Sequence, residues 1–309
     1  MRVITVGSAT VDVVVTGLSA QLGMGDKQEV EHIGQYPGGG AINAAAMLAQ
    51  HGAQVQVLAA CGTDMQAQAL RHGLQQVGID VSVLQTIPDQ ATGVAVILVS
   101  EAGHATVYAN RGANRYLQVG FCPAELEGCD MLYVSPLANE ALASLAKALH
   151  SYQGTLPYVV VNPSVAHVRA RDASLLGLLK RVDLLCLNAV EAQLLRGDSA
   201  EAIRADLSVP QAYALAQSVC QYSGQAVLLT LGAQGALWRC GTDSVYQPAL
   251  EPTTIRSTLG AGDAFSSSFA YFYRSGVAPD QALRRASQHA LNVLAEPSAN
   301  HLEALRLAC

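Results

Sequence analysis

The chain contains 309 residues, of which 50% are hydrophobic and 14% are charged, and its formal net charge is −6. This length permits one large α/β domain or two modest ones, and the composition excludes a disordered chain. No basic block occurs in the sequence, so we expect neither nucleic acid nor an anionic membrane as a partner.

Two further features bear on the cellular compartment. The seven cysteines are scattered and form no CxxC pair, which is typical of reduced thiols rather than of a disulfide framework or a metal site. The first residues resemble a strand instead of a signal peptide, and no apolar run is long enough to span a bilayer. We therefore expect a cytoplasmic protein.

The beginning of the chain predicts a strand followed by a flap. A strand is expected over residues 3–7, and Asp12 would stand at a strand end, where open α/β sheets bind ligands. A turn residue that caps local backbone is the alternative for Asp12. Residues 13–36 mix glycines with a period-two alternation over 28–33, which predicts a half-exposed strand in a flap outside the main sheet.

A glycine-rich loop comes next. Gly38, Gly39 and Gly40 precede a helix that we predict over residues 41–49. Bare backbone N–H groups at such a helix start could meet a polar ligand, and Asn43 in the first turn could reach the same place. A simple loop with a surface asparagine is the alternative.

Strands and helices then alternate along the chain. In the first half we expect a strand over 55–60, a helix over 64–77, a strand over 81–86, and a hairpin of 91–100 with 104–110 that turns at 101–103. In the second half we expect strands over 131–135, 158–161, 182–187, 226–230 and 236–239, and helices over 140–152, 211–222, 262–273 and 280–294. Apolar strands separated by helices predict a mainly parallel sheet that is covered on both faces. The hairpin is a second candidate for the flap.

The stretch Ser-Thr-Leu-Gly-Ala-Gly-Asp at 257–263 carries the clearest chemistry. Gly260 and Gly262 allow a tight turn and a close approach of backbone to a ligand. The helix behind them leaves its first N–H groups unpaired, which suits an anion. Asp263 could take the proton of an alcohol while the N–H groups stabilise charge that develops on a phosphate. The alternative is a glycine-rich turn before an ordinary helix.

Four motifs occur together along the chain. They are Gly38-Gly39-Gly40-Ala41-Ile42-Asn43, Asn188-Ala189-Val190-Glu191, a Thr-x-Gly-x-x-Gly at 230–235, and the stretch 257–263. In this order they resemble the ribokinase-like (PfkB) carbohydrate kinases, and Thr92-Gly93-Val94-Ala95 adds a likeness to the ribokinase branch. The resemblance implies one domain over 1–309 with a Rossmann-type three-layer α/β fold. It also implies a small β-sheet lid, formed by about 13–36 and 91–112, that pairs two copies in a homodimer.

The resemblance also implies the catalytic and substrate-binding residues. Asp263 would be the base that activates the substrate hydroxyl, and the backbone N–H groups of Gly260, Ala261 and Gly262 would form the anion hole. The sugar would be held by Asp12, Gly38, Gly39 and Asn43.

ATP and Mg²⁺ are the cofactors that the resemblance implies. Glu191 would serve Mg²⁺ through water, because this ion tends to keep several waters. The nucleotide would be bound by Asn188, Thr230, Gly232, Gly235 and Asn292. Phosphoryl transfer depends mainly on positioning and charge neutralisation, which is consistent with such a site.

Four positions depart from the ribokinase pattern. Ser257 replaces an Asp of the monovalent-cation loop, so a K⁺ requirement is left open. Thr10, Ser135 and Gly40 replace an Asn, a Glu and a Lys of the substrate site. A site built for one hydroxyl pattern rejects others strongly, so the sugar itself is left open.

Two other functions are compatible with the same motifs. One is a nucleoside kinase of the adenosine or pseudouridine type, for which Tyr36 and Tyr108 of the lid offer rings, although an aromatic content of 5% favours a plain sugar. The other is a relative that binds sugar and nucleotide without turnover. Loss of Asp263 would favour this non-catalytic function, but the residue is present. Ser257 is the one feature that favours it.

Overall fold

The computed structural model of the chain describes residues 1–18, 27–100, 105–121, 123–296, 298–300 and 302. The predicted turn at 101–103, residues 19–26 of the predicted flap, and Cys122 and Cys309 lie outside the described residues. In chain order the strands are β1 Arg2–Val6, β2 Thr10–Leu18, β3 His32–Gly38, β4 Gln54–Leu58, β5 Ala60–Cys61, β6 Gln85–Thr86, β7 Gly93–Ser100, β8 Ala105–Asn110, β9 Met131–Val134, β10 Tyr158–Val161, β11 Leu184–Asn188, β12 Ala226–Thr230, β13 Ala236–Cys240 and β14 Asp243–Gln247.

The helices alternate with the strands through most of the chain. They are α1 Gly40–Gln50, α2 Met65–Gln76, α3 Pro123–Glu127, α4 Asn139–Ser151, α5 Val165–Ala170, α6 Ala173–Leu178, α7 Ala189–Arg196, α8 Val209–Val219, α9 Ala261–Arg274 and α10 Pro279–Leu294. None of the helices in the described part of the chain is long and apolar enough to cross a membrane.

The core of the molecule is an eight-stranded sheet in the order β14-β13-β12-β11-β10-β9-β1-β4. The strands from β4 to β12 in this order are parallel, and β13 and β14 are added antiparallel at one edge. The parallel strands are continuous apolar runs because both of their faces are buried. Helices α1, α2, α9 and α10 contribute to the hydrophobic cluster on one face, and α4 to α8 contribute to the other. The predicted fold class is confirmed.

A second sheet of four strands has the order β3-β2-β7-β8. Both chain segments that we assigned to the lid contribute strands to it, and β7 and β8 pair antiparallel as the predicted hairpin. The buried side chains Val14, Ala95, Ile97 and Val99 form a cluster against which Leu259 packs. This contact brings one face of the small sheet next to the stretch 257–263.

Three details of the predicted elements are wrong. Asp12 does not stand at a strand end, because β1 stops at Val6 and Asp12 is already the third residue of β2. The strand expected over 81–86 shrinks to β6, since the Leu84 N–H donates to the Val81 carbonyl in a turn. The strand expected over 28–33 is shifted along the chain, because β3 starts at His32.

Four short helices were missed by the sequence analysis, namely α3, α5, α6 and α7. Helices α5 and α6 contain six residues each, which is too short for a clear apolar period. The caps were visible in the sequence, since Ser164 accepts a hydrogen bond from the His167 N–H and Asp172 accepts from two N–H groups of α6.

Candidate active site

The N-terminus of α9 is open to solvent. Its N-cap Gly260 has a φ of 77°, and a Cβ added there would lie 2.0 Å from the Ala299 carbonyl oxygen, so only glycine fits. No described side chain caps the helix. A Cβ added at Gly262 would meet nothing within 4 Å, so there is free space beside the first turn. The unpaired N–H groups of this turn and the positive end of the helix dipole suit an anion.

Asp263 lies in the first turn of α9 and is half-buried. Asn43 Nδ2, from the first turn of α1, donates a hydrogen bond of 3.0 Å to Asp263 Oδ2. Burial raises the pKa of Asp263 above its ordinary value, and the hydrogen bond from Asn43 opposes this rise. The structure thus brings together two predicted site residues that lie 220 positions apart in the sequence.

Asn300 is a site residue that the sequence analysis missed. Its Nδ2 donates to Asn43 Oδ1 over 2.8 Å and to the Pro37 carbonyl over 2.9 Å, and its side chain is 2% exposed. The residue belongs to the C-terminal segment beyond α10, which no motif covers, so no sequence signal could have identified it.

Asp12 points from β2 into the space beside the glycine loop. It is 5% exposed, and Thr10 Oγ1 donates to Asp12 Oδ1 over 2.7 Å. A Cβ added at Gly38 would lie 2.0 Å from Asp12 Oδ2, so the absence of a side chain at Gly38 makes room for this carboxylate. Burial raises the pKa of Asp12 to about 6; the Thr10 hydrogen bond opposes the rise, and the charge of Asp263 adds to it.

The glycine loop is only partly available to a ligand. Gly39 is the N-cap of α1 with a φ of 90°, and a Cβ there would lie 2.5 Å from the Ser8 carbonyl oxygen. The Gly40 N–H donates to Ser8 Oγ, and the Ala41 N–H donates to the Ser8 carbonyl, each over 3.2 Å. These two N–H groups are therefore not bare, contrary to the sequence-based expectation, because Ser8 satisfies them.

Asn188 and Glu191 form a capping box at the start of α7. The Glu191 N–H donates to Asn188 Oδ1 over 2.9 Å, and the Asn188 N–H donates to Glu191 Oε2 over 3.0 Å. Burial raises the pKa of Glu191, the hydrogen bond from the Asn188 backbone lowers it, and the charge of Asp263 raises it further. Glu191 Oε2 is the carboxylate oxygen that accepts the hydrogen bond of the cap.

The turn after β12 lies beside Asn188. Thr230, the last residue of β12, pairs in register with Asn188 at the end of β11. Gly232 and Gly235 have φ values of 58° and 113°, and the Leu231 N–H closes the turn by donating to the Gly235 carbonyl over 2.8 Å. Both positions have a positive φ that favours glycine; Gly232 is exposed at the carboxyl edge of the sheet, whereas the N–H and carbonyl of Gly235 are paired within the turn.

Asn292 stands apart from the other predicted nucleotide residues. It is exposed on α10, a helix that packs against β13 and β14. No side-chain hydrogen bond in the described part of the chain joins Asn292 to the turn after β12. Its proposed place beside the adenine therefore depends on a bound nucleotide reaching across to α10.

Three carboxylates from three separate elements influence one another. Asp12 on β2 and Glu191 on α7 both have a pKa that the charge of Asp263 raises. Three carboxylates that repel one another favour the binding of a proton or a cation near them. The described residues nevertheless hold no group of three or more His, Cys, Asp or Glu side chains arranged as a metal site.

Two of the departures from the ribokinase pattern have local structural roles. Ser257 is fully buried, and its Oγ accepts the Leu259 N–H over 3.2 Å. Ser135 Oγ donates to the Val6 carbonyl over 3.1 Å, and a Cβ added at Gly40 would lie 2.8 Å from Ser135 Cβ. A larger side chain at position 40 would therefore require Ser135 to move.

A separate cleft of about 580 Å³ contains none of these residues. It lies between the turn after β8 and the first turns of α4 and α5. Arg111, Arg115 and His167 are among its lining side chains. The motif residues instead surround the N-terminus of α9, so the chemistry of the chain is concentrated there.

Several known proteins are similar to this chain in sequence or in fold. The deoxyribokinase of Salmonella typhi is 26% identical over 255 residues, which cover 81% of this chain and 78% of that protein. The ribokinase of Arabidopsis thaliana, complexed with ribose and ATP, superposes with a TM-score of 0.73 at 21% identity and covers 96% of this chain and 94% of that one. The nucleoside kinase of Burkholderia thailandensis, in complex with inosine, gives 0.76 at 20% identity, with 97% and 93% covered.

The family assignment rests on the sequence. Residues 1–304 match the family described as pfkB family carbohydrate kinase, which leaves only the last five residues of the chain unmatched. The chain belongs to the pfkB family of carbohydrate kinases and is an ATP-dependent kinase of a sugar-like molecule.

Proposed function

We propose that this kinase transfers the γ-phosphoryl group of ATP to a hydroxyl of a sugar, with Asp263 as the general base. The observation that carries the proposal is the position of Asp263, half-buried in the first turn of α9, next to an uncapped helix N-terminus and in contact with Asn43. A base and an anion site then lie within one helical turn, as transfer to an alcohol requires.

The residues around Asp263 would divide the work as follows. Asp263 accepts the proton of the attacking hydroxyl, and burial makes this carboxylate a stronger base than one in water. The N–H groups of Gly260, Ala261 and Gly262 stabilise the negative charge that develops on the transferred group. The sugar hydroxyls are held by Asp12, Gly38, Gly39 and Asn43.

The nucleotide would lie along the carboxyl edge of β11 and β12. Asn188 and Thr230 are neighbours there, and the adjoining turn with Gly232 and Gly235 exposes backbone at which phosphates can approach closely. Asn292 on α10 would face the adenine.

Glu191 would hold Mg²⁺ through water. The donor set fits, since Glu191 offers a carboxylate whose pKa is raised by burial and by the charge of Asp263, and a divalent cation held there would offset this negative charge. Mg²⁺ commonly uses only one or two protein carboxylates together with substrate phosphates, so a cluster of three acids is not needed. When bound, the ion neutralises phosphate charge during transfer. We propose no K⁺ requirement, because Ser257 is buried and neutral.

Assembly and compartment are further parts of the proposal. Strand β8 is an edge of the small sheet, and Val107 and Tyr108 on it are exposed, so pairing of two such sheets in a homodimer would cover this edge. All five cysteines in the described ranges are free thiols, which supports a reducing, cytoplasmic setting.

The experiment is an assay of ADP release from Mg·ATP over pentoses, hexoses, ketoses, sugar phosphates and nucleosides, each with and without K⁺. Turnover on one sugar that disappears in Asp263→Asn would support the proposal. If no compound in the panel supports ADP release although ATP still binds, the protein would be a relative that binds without turnover. That result would count against the proposed kinase activity.

Phosphorylation of a nucleoside is the second candidate. It is favoured by the likeness of the whole fold to a nucleoside kinase in complex with inosine. Tyr108 of the small sheet is 64% exposed, and Tyr36 packs against the cluster beneath this sheet. Turnover on nucleosides alone in the same panel would establish this candidate in place of the sugar kinase.

A further inference from the structure

The side-chain amide of Asn300 has a fixed polarity. Its Nδ2 faces the Pro37 carbonyl at 2.9 Å, and its Oδ1 faces the Leu302 N–H at 3.0 Å. A carbonyl can only accept a hydrogen bond and a backbone N–H can only donate one. If the amide were turned over, both contacts would become repulsive, so the backbone decides which end of Asn300 is the donor.

The orientation of the Asn300 amide also fixes the orientation of the Asn43 amide. Asn300 Nδ2 also faces Asn43 Oδ1 at 2.8 Å, so that oxygen is the acceptor of the pair. The other end of the Asn43 amide, Nδ2, must then face Asp263 Oδ2, and it does so at 3.0 Å. Two backbone groups remote from Asp263 thus determine that Asn43 presents a donor to this carboxylate.

The amide of Asn300 is buried and anchored in the core. Asn300 is 2% exposed and Asn43 is 8% exposed, so solvent cannot replace a lost partner of Asn300. The Leu302 side chain belongs to the same hydrophobic cluster as α1 and α9, and the Ala299 carbonyl lies against Gly260. Ala299 therefore lies directly against the start of α9, and Leu302 packs in the cluster to which α9 contributes.

We propose that Asn300 is a positioning residue, which holds the Asn43 amide in the one orientation that donates to Asp263. The proposal rests on the proposed role of Asp263 as base. It assigns a contribution to phosphoryl transfer to the C-terminal segment, which lies outside the four motifs.

Asp263 depends on this donor because its other neighbours oppose its ionisation. The titratable groups that interact with it are Asp12 from β2, Glu191 from α7 and Tyr133 from β9. Each of the three is neutral or negative. The hydrogen bond from Asn43 is the interaction that lowers the pKa of Asp263 against the effect of burial. If Asn43 turned over, its oxygen would join the groups that disfavour the carboxylate.

The test measures the pKa of Asp263 in the ligand-free protein. Aspartate labelled with ¹³C at the side-chain carboxyl is followed by NMR during a pH titration, and the Asp263 signal is the one lost in Asp263→Asn. We expect Asn300→Leu, which keeps the shape of the side chain, to raise this pKa by about one pH unit. Ser287→Ala, a buried polar change on α10 whose hydroxyl donates to the Leu283 carbonyl of its own helix, should leave it unchanged.

A double variant separates positioning from general loosening. In an Asn43→Ala background the donor is already gone, so adding Asn300→Leu should cause no further rise in the pKa of Asp263. An unchanged pKa in folded Asn300→Leu, or an equal further rise in the double variant, would overturn the proposal. Asn300→Ser, which leaves a polar group at the position, replaces Asn300→Leu if the latter does not melt cooperatively.

This outcome is independent of the assay of the proposed function. If turnover survives in Asp263→Asn, Asp263 is not the base. The contacts from Asn300 through Asn43 to Asp263 would then have no role in catalysis, whatever the titration gives. If turnover is lost in Asp263→Asn but the pKa of Asp263 is unchanged in Asn300→Leu, only the positioning role of Asn300 is overturned.

Discussion

Asp12→Asn should make the ligand-free protein more stable at neutral pH. Burial and the charge of Asp263 raise the pKa of Asp12 to about 6 in the folded state, against 3.8 as its ordinary value. The folded state therefore binds the proton more tightly than the unfolded state does. Stability from this group is fully present below about pH 4 and is lost as the pH rises through about 6.

The size of the effect follows from these two values. The difference between about 6 and 3.8 corresponds to about 3 kcal/mol in the free energy of unfolding at neutral pH, at 1.36 kcal/mol per unit of pKa. Asparagine keeps a carbonyl oxygen that can accept the Thr10 hydroxyl, so this hydrogen bond should survive the substitution. The amide has no charge to bury, and the cost of ionisation disappears.

The assay is urea denaturation followed through Trp238, the one tryptophan of the chain. We expect the variant and the wild type to unfold at the same urea concentration near pH 4, and the variant to gain about 3 kcal/mol at pH 7.5. Asp206→Asn, a change of an exposed acid, is the control and should show no such gain. A difference that is the same at both pH values, or a less stable variant at pH 7.5, would refute the reasoning.

Three further predictions concern the nucleotide side of the site. Gly260→Ala should lower the melting temperature and abolish turnover, because the added methyl group collides with backbone, whereas Gly262→Ala, which meets empty space, should melt like the wild type. Glu191→Gln should keep α7 capped, since its amide oxygen can still accept the Asn188 N–H. The Mg²⁺ concentration for half-maximal turnover should nevertheless rise about tenfold. An unchanged Mg²⁺ requirement would exclude a metal-binding role for Glu191. Turnover should be equal in K⁺ and Na⁺, because the hydroxyl of Ser257 is already engaged with backbone; strong K⁺ activation would contradict this.

The layered fold could be predicted from the sequence because its signals are local. Apolar runs such as those of β10 and β12 are buried on both faces, and each is followed by a helix with its own period. The prediction failed where tertiary contacts outweigh local pattern. Residues 81–84 look like a strand but turn, and Asp12 joins a second sheet directly after β1, which no local property of its neighbours indicates.

The candidate site was predictable only as far as its motifs extend. The sequence indicated Asp263, Asn43 and the glycines, and the structure brings Asn43 into contact with Asp263. It could not indicate that Ser8 occupies two N–H groups of the glycine loop. Nor could it indicate Asn300, whose partners lie 257 and 263 positions away along the chain. Such contacts depend on how distant segments pack.

The most direct test of the central claim compares wild type with Asp263→Asn on the acceptor that supports turnover. ADP release and ATP binding are measured on the same preparations, with Asp206→Asn, a change of an exposed acid outside the site, as a control. We predict that kcat falls by about 10²–10⁴-fold in Asp263→Asn while the Kd for Mg·ATP stays close to that of wild type. Turnover within tenfold of wild type would contradict the assignment of Asp263 as the general base.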